Sequence, residues 1–127
     1  MAGVVVDTSA WIDFFAGRKS EQLEEALSIG SAVVPPIVVA ELFAGAASPE
    51  QVQAIGELLQ DVPIHETPLE HWMDVGDLRR TLRRKGINVT IPDAHIAQCA
   101  LDRNAVLLSR DAVFVKIAEH TRLRLSR

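Results

Sequence analysis

One cysteine, Cys99, in 127 residues excludes an internal disulfide, so the fold does not depend on oxidation and a reducing cytoplasm is the expected home. No apolar run approaches the length of a membrane span. Met1 to Val6 lacks the charged region and long apolar stretch of a secretion signal. Asn88-Val89-Thr90 therefore matches a glycosylation acceptor by letter only. Excess positive charge is also missing: the net charge of −4 argues against nucleic-acid binding by bulk electrostatics. It leaves room for an enzyme that meets nucleic acid through bound cations. No low-complexity tract, internal repeat or linker interrupts the chain. With 48% hydrophobic and 24% charged residues, a single domain spanning 1–127 with one sizeable core is expected.

What is there begins with Val4-Val5-Val6-Asp7. Three β-branched apolar residues in a row read as a central parallel strand buried on both faces. Asp7 ends it where open α/β sheets place their ligands, and Thr8 and Ser9 are able to cap a following helix. Ser20 opens a helix over Glu21 to Ser28, closed by Gly30, and Ala32 to Val34 is a short strand stopped by Pro35 and Pro36. Pro36 and Gly45 bracket a helix over the apolar run Ile37 to Phe43. Ser48-Pro49-Glu50 begins a helix with Val52, Ile55, Leu58 and Leu59 inward, and Val62 to His65 follows as a brief strand. Pro68 starts the longest helix, to about Lys85, with Leu69, Trp72, Val75, Leu78 and Leu82 as its buried stripe. A helix from Ile91, a strand over Ala105 to Leu108, a helix after Asp111 and an edge strand at Leu123 to Leu125 complete the chain. Strands alternating with helices give a three-layer parallel α/β sheet with helices on both faces.

Four carboxylates stand in unusual places. Asp7 and Asp111 end strands, Asp93 opens a helix after Pro92, and Glu41 is the only charge in an apolar stretch. A carboxylate buried there needs a cation, a proton or strong hydrogen bonds. Taken alone, Asp7 or Asp111 is equally a turn or cap residue. In a parallel sheet, however, strand C-termini and helix N-termini share one edge, so the four converge there. Unit charges about 4 Å apart repel by about 4 kcal/mol at an effective dielectric near 20, which a divalent cation relieves. Oxygen-only ligands suit Mg²⁺ or Mn²⁺, and phosphodiester hydrolysis is the chemistry that fits.

Four blocks, in this order and over the whole chain, resemble the PIN domain family and, within it, the VapC toxins of type II toxin–antitoxin pairs. They are Val6-Asp7-Thr8-Ser9-Ala10-Trp11-Ile12-Asp13, Val39-Ala40-Glu41-Leu42 with Gly45, Pro92-Asp93-Ala94-His95-Ile96-Ala97, and Leu107-Leu108-Ser109-Arg110-Asp111 with Phe114. The resemblance implies metal-dependent endoribonuclease activity, with Asp7 and Asp93 as direct Mg²⁺ ligands and Glu41 and Asp111 holding the ion's waters or a second ion. Thr8 and Ser109 would orient a carboxylate or a water. Ser109 replaces a commoner Thr, and His95 stands where an apolar residue is usual. His95 is expected on the helix surface or packed, rather than contacting phosphate.

The resemblance also implies an RNA substrate, a homodimer and a cognate antitoxin whose apolar helix would lie in a groove lined by Trp11, Phe14, Phe15 and Phe43. Arg79, Arg80, Arg83, Arg84 and Lys85 read equally as a cationic helix end or as a phosphate-contacting rim. Arg18, Lys19 and Arg110 are further candidates for that rim. Two other readings compete. A phospho-receiver domain needs an acidic pair at the first strand and a Lys at the last, where this chain has Thr8 and Ser109-Arg110. A catalytically inactive binding module fits poorly with a complete set of four acids.

Overall fold

Val4–Val6 forms the middle of the sheet. In the structure, a computed structural model that describes residues 3–126, this strand (β1) pairs in parallel with β2 (Ala32–Val33) and with β3 (Val106–Leu108). Strand β3 carries the parallel edge strand β4 (Arg124–Leu125), giving the order β2-β1-β3-β4. Val5 and Val6 point to opposite faces, and both are fully buried, at 0% exposure. Both faces of the sheet are therefore covered, as the three β-branched residues predict.

Among the described residues the cover is made by seven helices: α1 (Thr8–Phe15), α2 (Glu21–Ser28), α3 (Pro36–Gly45), α4 (Pro49–Asp61), α5 (Leu69–Arg84), α6 (Ile91–Arg103) and α7 (Val113–His120). Their starts follow local chemistry. The hydroxyls of Ser20, Ser48 and Thr90 each accept a backbone N–H of the first turn, and Pro36, Pro49 and Pro92 sit in first turns where no N–H is needed. After α5 the chain reverses at Gly86, whose φ of +80° strains any side chain. No helix among the described residues is long and apolar enough to cross a membrane.

Three expectations change. The strand at Val62 to His65 reduces to a single parallel bridge between Val34 and Ile64. Pro63 offers no N–H to a ladder, and β2 runs straight into Pro35 and Pro36, so pairing stops after the bonds Val34 N–H to Pro63 and His65 N–H to Val34. On α4, Ile55 is buried but Val52 faces solvent. On α5, Val75 and Leu82 are buried as expected, whereas Leu69 and Trp72 are 76% and 41% exposed. Their place is taken by His71, which is buried four residues before Val75 and so on the same helix face. A stripe read only from apolar letters passes over a histidine whose ring is hydrogen-bonded inside.

Candidate active site

The first carboxylate is placed by the sheet. Asp7 donates its backbone N–H to the Leu108 carbonyl at 2.9 Å, extending the β1–β3 pairing by one residue, and it occupies the N-cap position of α1. Its side chain makes no cap bond. Instead Oδ2 accepts the Ser9 hydroxyl at 2.9 Å and the Ser109 hydroxyl at 2.6 Å, in a pocket that leaves Asp7 only 5% exposed. Asp7 is thus neither a turn residue nor a working cap, and Thr8 and Ser9 belong to the helix rather than capping it. Ser9 is a contact that the sequence reading did not single out. Its signal was present, as a hydroxyl two residues after the acid in a helical first turn.

The two serines are themselves fixed. Ser109 Oγ accepts the backbone N–H of Asp111, and Ser9 Oγ accepts that of Arg110, both at 3.0 Å. The two hydroxyl oxygens lie 3.3 Å apart. The turn after β3 is therefore knitted to the first turn of α1 across the edge of the sheet. Beyond it, the Asp13 carboxylate accepts the guanidinium of Arg18 at 2.6 Å and also that of Arg110. The hydrogen bond from Arg110, and then that from Arg18, hold Asp13 below the usual carboxylate range. Arg18 and Arg110, two of the arginines named as rim candidates, are thus anchored by the same acid.

Glu41 is exposed, which corrects the expectation of a buried charge. Helix α3 buries Val38 and Leu42, and Glu41 turns to the open side, where Oε1 accepts the Thr8 hydroxyl at 2.7 Å. Thr8 therefore holds a carboxylate, in keeping with its expected orienting role. Asp111 is exposed as well, and its Oδ1 accepts the Val113 N–H at 3.0 Å. This bond closes the turn one residue before the α7 N-cap, Ala112, and engages one of the two carboxylate oxygens.

Asp93, in the first turn of α6, is half-buried. Burial pushes its carboxyl above the usual value; a hydrogen bond from Thr90 opposes this, and the negative charges of Asp111, Asp7 and Glu41 add to the rise. Asp93 therefore lies within electrostatic reach of the other three predicted acids. Among the described residues no Lys or Arg forms an ion pair with any of them. An all-oxygen, uncompensated donor set of this kind suits a hard divalent cation.

The outlying candidates divide. His95 is fully buried and packed, away from solvent. Of the basic cluster, Arg79 donates from Nε to the Val89 carbonyl at 2.8 Å and pins the turn after α5. Arg80 pairs with Asp77, while Arg83, Arg84 and Lys85 face solvent. The expected aromatic groove changes its lining. Trp11 is 0% exposed and belongs to the core, with Phe14 packed edge-on against it. A cleft of about 460 Å³ does run beside Glu41, lined by Ile12, Phe15, Leu42, Ala46, Ala54 and Ile55 among others.

No curated protein matches the chain significantly by sequence. The fold is similar to a chain of the DNA-bound VapBC of Salmonella typhimurium, with a TM-score of 0.81 and 24% identity over 99% of this chain and 98% of that one. It is similar to VapBC2 of Rickettsia felis bound to a promoter DNA fragment, with a TM-score of 0.80 and 23% identity over 97% and 96% of the two chains. It is also similar to VapBC-5 of Mycobacterium tuberculosis, with a TM-score of 0.74 and 25% identity over 100% and 99%. The sequence model of the PIN domain matches residues 4–120. With that match spanning β1 to α7, the chain belongs to the PIN domain family.

Proposed function

We propose that this protein is a divalent-cation-dependent endoribonuclease, the VapC-type toxin of a toxin–antitoxin pair. The observation that carries the reading is the state of Asp7: a buried carboxylate that leaves its helix cap unmade and is held by two hydroxyls, within electrostatic reach of Asp93, as Glu41 and Asp111 also are. A purely structural Asp at that position would satisfy the helix start. The oxygen-only donors fit Mg²⁺, with Mn²⁺ as the close substitute. Asp7 and Asp93 would hold the ion directly, and Glu41 and Asp111 would complete its surroundings or hold a second one. Bound there, such a cation neutralises charge on a phosphodiester and makes water a competent nucleophile.

The chain's own residues supply the positioning. Ser9 and Ser109 fix the rotamer of Asp7, Thr8 fixes Glu41, and Asp111 is fixed by the turn it closes. Arg110 and Arg18, anchored on Asp13, offer positive charge at the margin of the acidic centre for an RNA backbone. The cleft beside Glu41 fits an apolar antitoxin helix, and a cation carried by that helix would meet the exposed carboxylates directly. A homodimer and a cytoplasmic location belong to the same reading. The comparison chains come from VapBC complexes, which supports a partner of that kind.

The test is RNA cleavage by the purified, antitoxin-free chain in Mg²⁺. Asp7→Asn and Asp93→Asn should abolish cleavage while leaving the circular dichroism spectrum unchanged, and EDTA should stop the wild-type reaction. Full activity in either variant, or indifference to EDTA, would sink the proposal.

A further inference from the structure

Behind the acidic edge, between the bridge at Ile64, helix α5 and helix α6, lies a cluster with different chemistry. Three histidines and the single cysteine meet there. His71 Nδ1 is 2.6 Å from Asp102 Oδ2, and His71 Nε2 is 2.7 Å from His95 Nδ1. Cys99 Sγ is 3.8 Å from His95 Nε2. His65 approaches Asp102 at 3.5 Å and the guanidinium of Arg103 at 3.4 Å, both long contacts. His65, His71 and Cys99 are all buried, and each offers a ligand atom within 4.8 Å of the other two.

We propose that His65, His71 and Cys99 form a second metal site, separate from the carboxylates and suited to Zn²⁺. The ligand set decides the metal: two imidazoles and a thiolate are borderline-to-soft donors that favour Zn²⁺ over Mg²⁺. Tetrahedral Zn²⁺ with bonds of about 2.0–2.3 Å needs ligand atoms about 3.3–3.6 Å apart, so three side chains close in by roughly an ångström.

The surroundings are those a metal-bound histidine has. Asp102 is an acceptor on both oxygens: His71 Nδ1 lies 2.6 Å from Oδ2, and Gln98 Nε2 donates to Oδ1 at 2.8 Å. The hydrogen on His71 therefore sits on Nδ1, which leaves Nε2 as a lone pair. A carboxylate that orients an imidazole in this way is the usual outer partner of a zinc-bound histidine. In the metal-free protein that lone pair accepts the hydrogen of His95; on binding, the ion displaces this hydrogen bond.

Charge balances as well. Cys99 is a free, fully buried cysteine. On coordination the sulfur–hydrogen bond breaks and the proton leaves to solvent; the thiolate and the Asp102 carboxylate then offset the charge of Zn²⁺, and the Arg103 guanidinium, 3.4 Å from His65 and exposed, adds a positive charge that solvent screens. A cavity of about 650 Å³ reaches the cluster from outside, and Glu66, Glu70 and Asp74 in its wall favour entry of a cation. The ion would tie the 62–65 segment and α5 to α6, the helix that carries Asp93.

Cobalt titration tests this with a readout that the acidic site is unable to mimic. Because the chain has one cysteine, a thiolate-to-Co²⁺ charge-transfer band in the near ultraviolet reports Cys99 alone. One equivalent of Co²⁺ added to the reduced full-length protein should give that band with tetrahedral visible bands, and one equivalent of Zn²⁺ should remove both. Asp93→Asn should keep the band. Cys99→Ser should lack it, and His65→Gln should weaken Co²⁺ binding at least tenfold. The proposal is overturned if stoichiometric Co²⁺ gives no thiolate band in the wild-type protein, or if His65→Gln binds it equally well.

Discussion

Ser109 Oγ donates to Asp7 Oδ2 at 2.6 Å across 102 residues of sequence, and the same oxygen accepts the backbone N–H of Asp111. One hydroxyl thus couples the first of the four candidate acids to the last. Removing it leaves every carboxylate in place and leaves Asp7 Oδ2 held by Ser9 alone, so the side chain gains freedom to turn toward the vacant cap of α1. Ser109→Ala should therefore lower kcat for RNA cleavage by about 10- to 100-fold, the usual effect of losing a group that orients a ligand. Ser109→Thr should restore most of the activity. A change in KM alone, or no rescue by Thr, would show that Ser109 does not act through Asp7.

Asp111 has two functions that substitution separates. Its Oδ1 accepts Val113 N–H in the turn before α7, a role that Asn fills as well as Asp, whereas Ala forfeits about 1 kcal/mol. Asp111→Asn should keep the wild-type unfolding midpoint in urea and lose cleavage activity. Asp111→Ala should lose both. If Asn and Ala behave alike in stability, the bond is not worth what its geometry implies; if Asn cleaves RNA normally, the charge at 111 is not needed.

How far the sequence carries the fold can be judged residue by residue. The buried central strand, the serine caps at Ser20 and Ser48, the start of α3 at Pro36 and the edge strand ending at Leu125 all follow from short-range rules, and the structure has them. That Asp93 lies within electrostatic reach of Asp7, Glu41 and Asp111 accords with one topological fact, that the ends of parallel strands share an edge. Exposure did not follow. Glu41 sits in an apolar run yet faces solvent, because α3 buries only the face that carries Val38 and Leu42. The histidine cluster was illegible for a different reason. His65, His71, His95 and Asp102 are spread over 38 residues with no motif spacing, and they meet only because α5 packs on α6 and the bridge at Ile64 brings His65 alongside.

The same cluster makes the stability of the metal-free fold depend on pH. Burial lowers His95 to about 4, with the neighbouring histidines contributing, against an ordinary value of 6.5. The folded state therefore favours neutral His95, while the unfolded chain takes up a proton near pH 6.5. Stability from this group is complete above that pH and is lost as pH falls toward 4. His65, also lowered by burial, acts in the same direction. Urea unfolding in EDTA should give about 2 kcal/mol less stability at pH 5 than at pH 7, the size expected from His95 alone. Equal stability at the two pH values would contradict a neutral, buried His95.

On the proposed reading, antitoxin binding is separable from catalysis at Ile12. This residue is 55% exposed on α1, lines the cleft beside Glu41, and makes none of the hydrogen bonds that hold the acidic site. A partner helix lying in the cleft would bury it, and replacing a buried isoleucine by serine removes about 2 kcal/mol or more of apolar contact. Ile12→Ser should thus weaken inhibition by the antitoxin encoded with this chain by at least tenfold. RNA cleavage by the free protein and its unfolding midpoint should stay within twofold and within error of wild type, because the side chain already faces water. Unchanged inhibition with normal cleavage would place the antitoxin elsewhere on the surface. Reduced cleavage in the free protein would mean that Ile12 also supports the site, through its neighbours on α1.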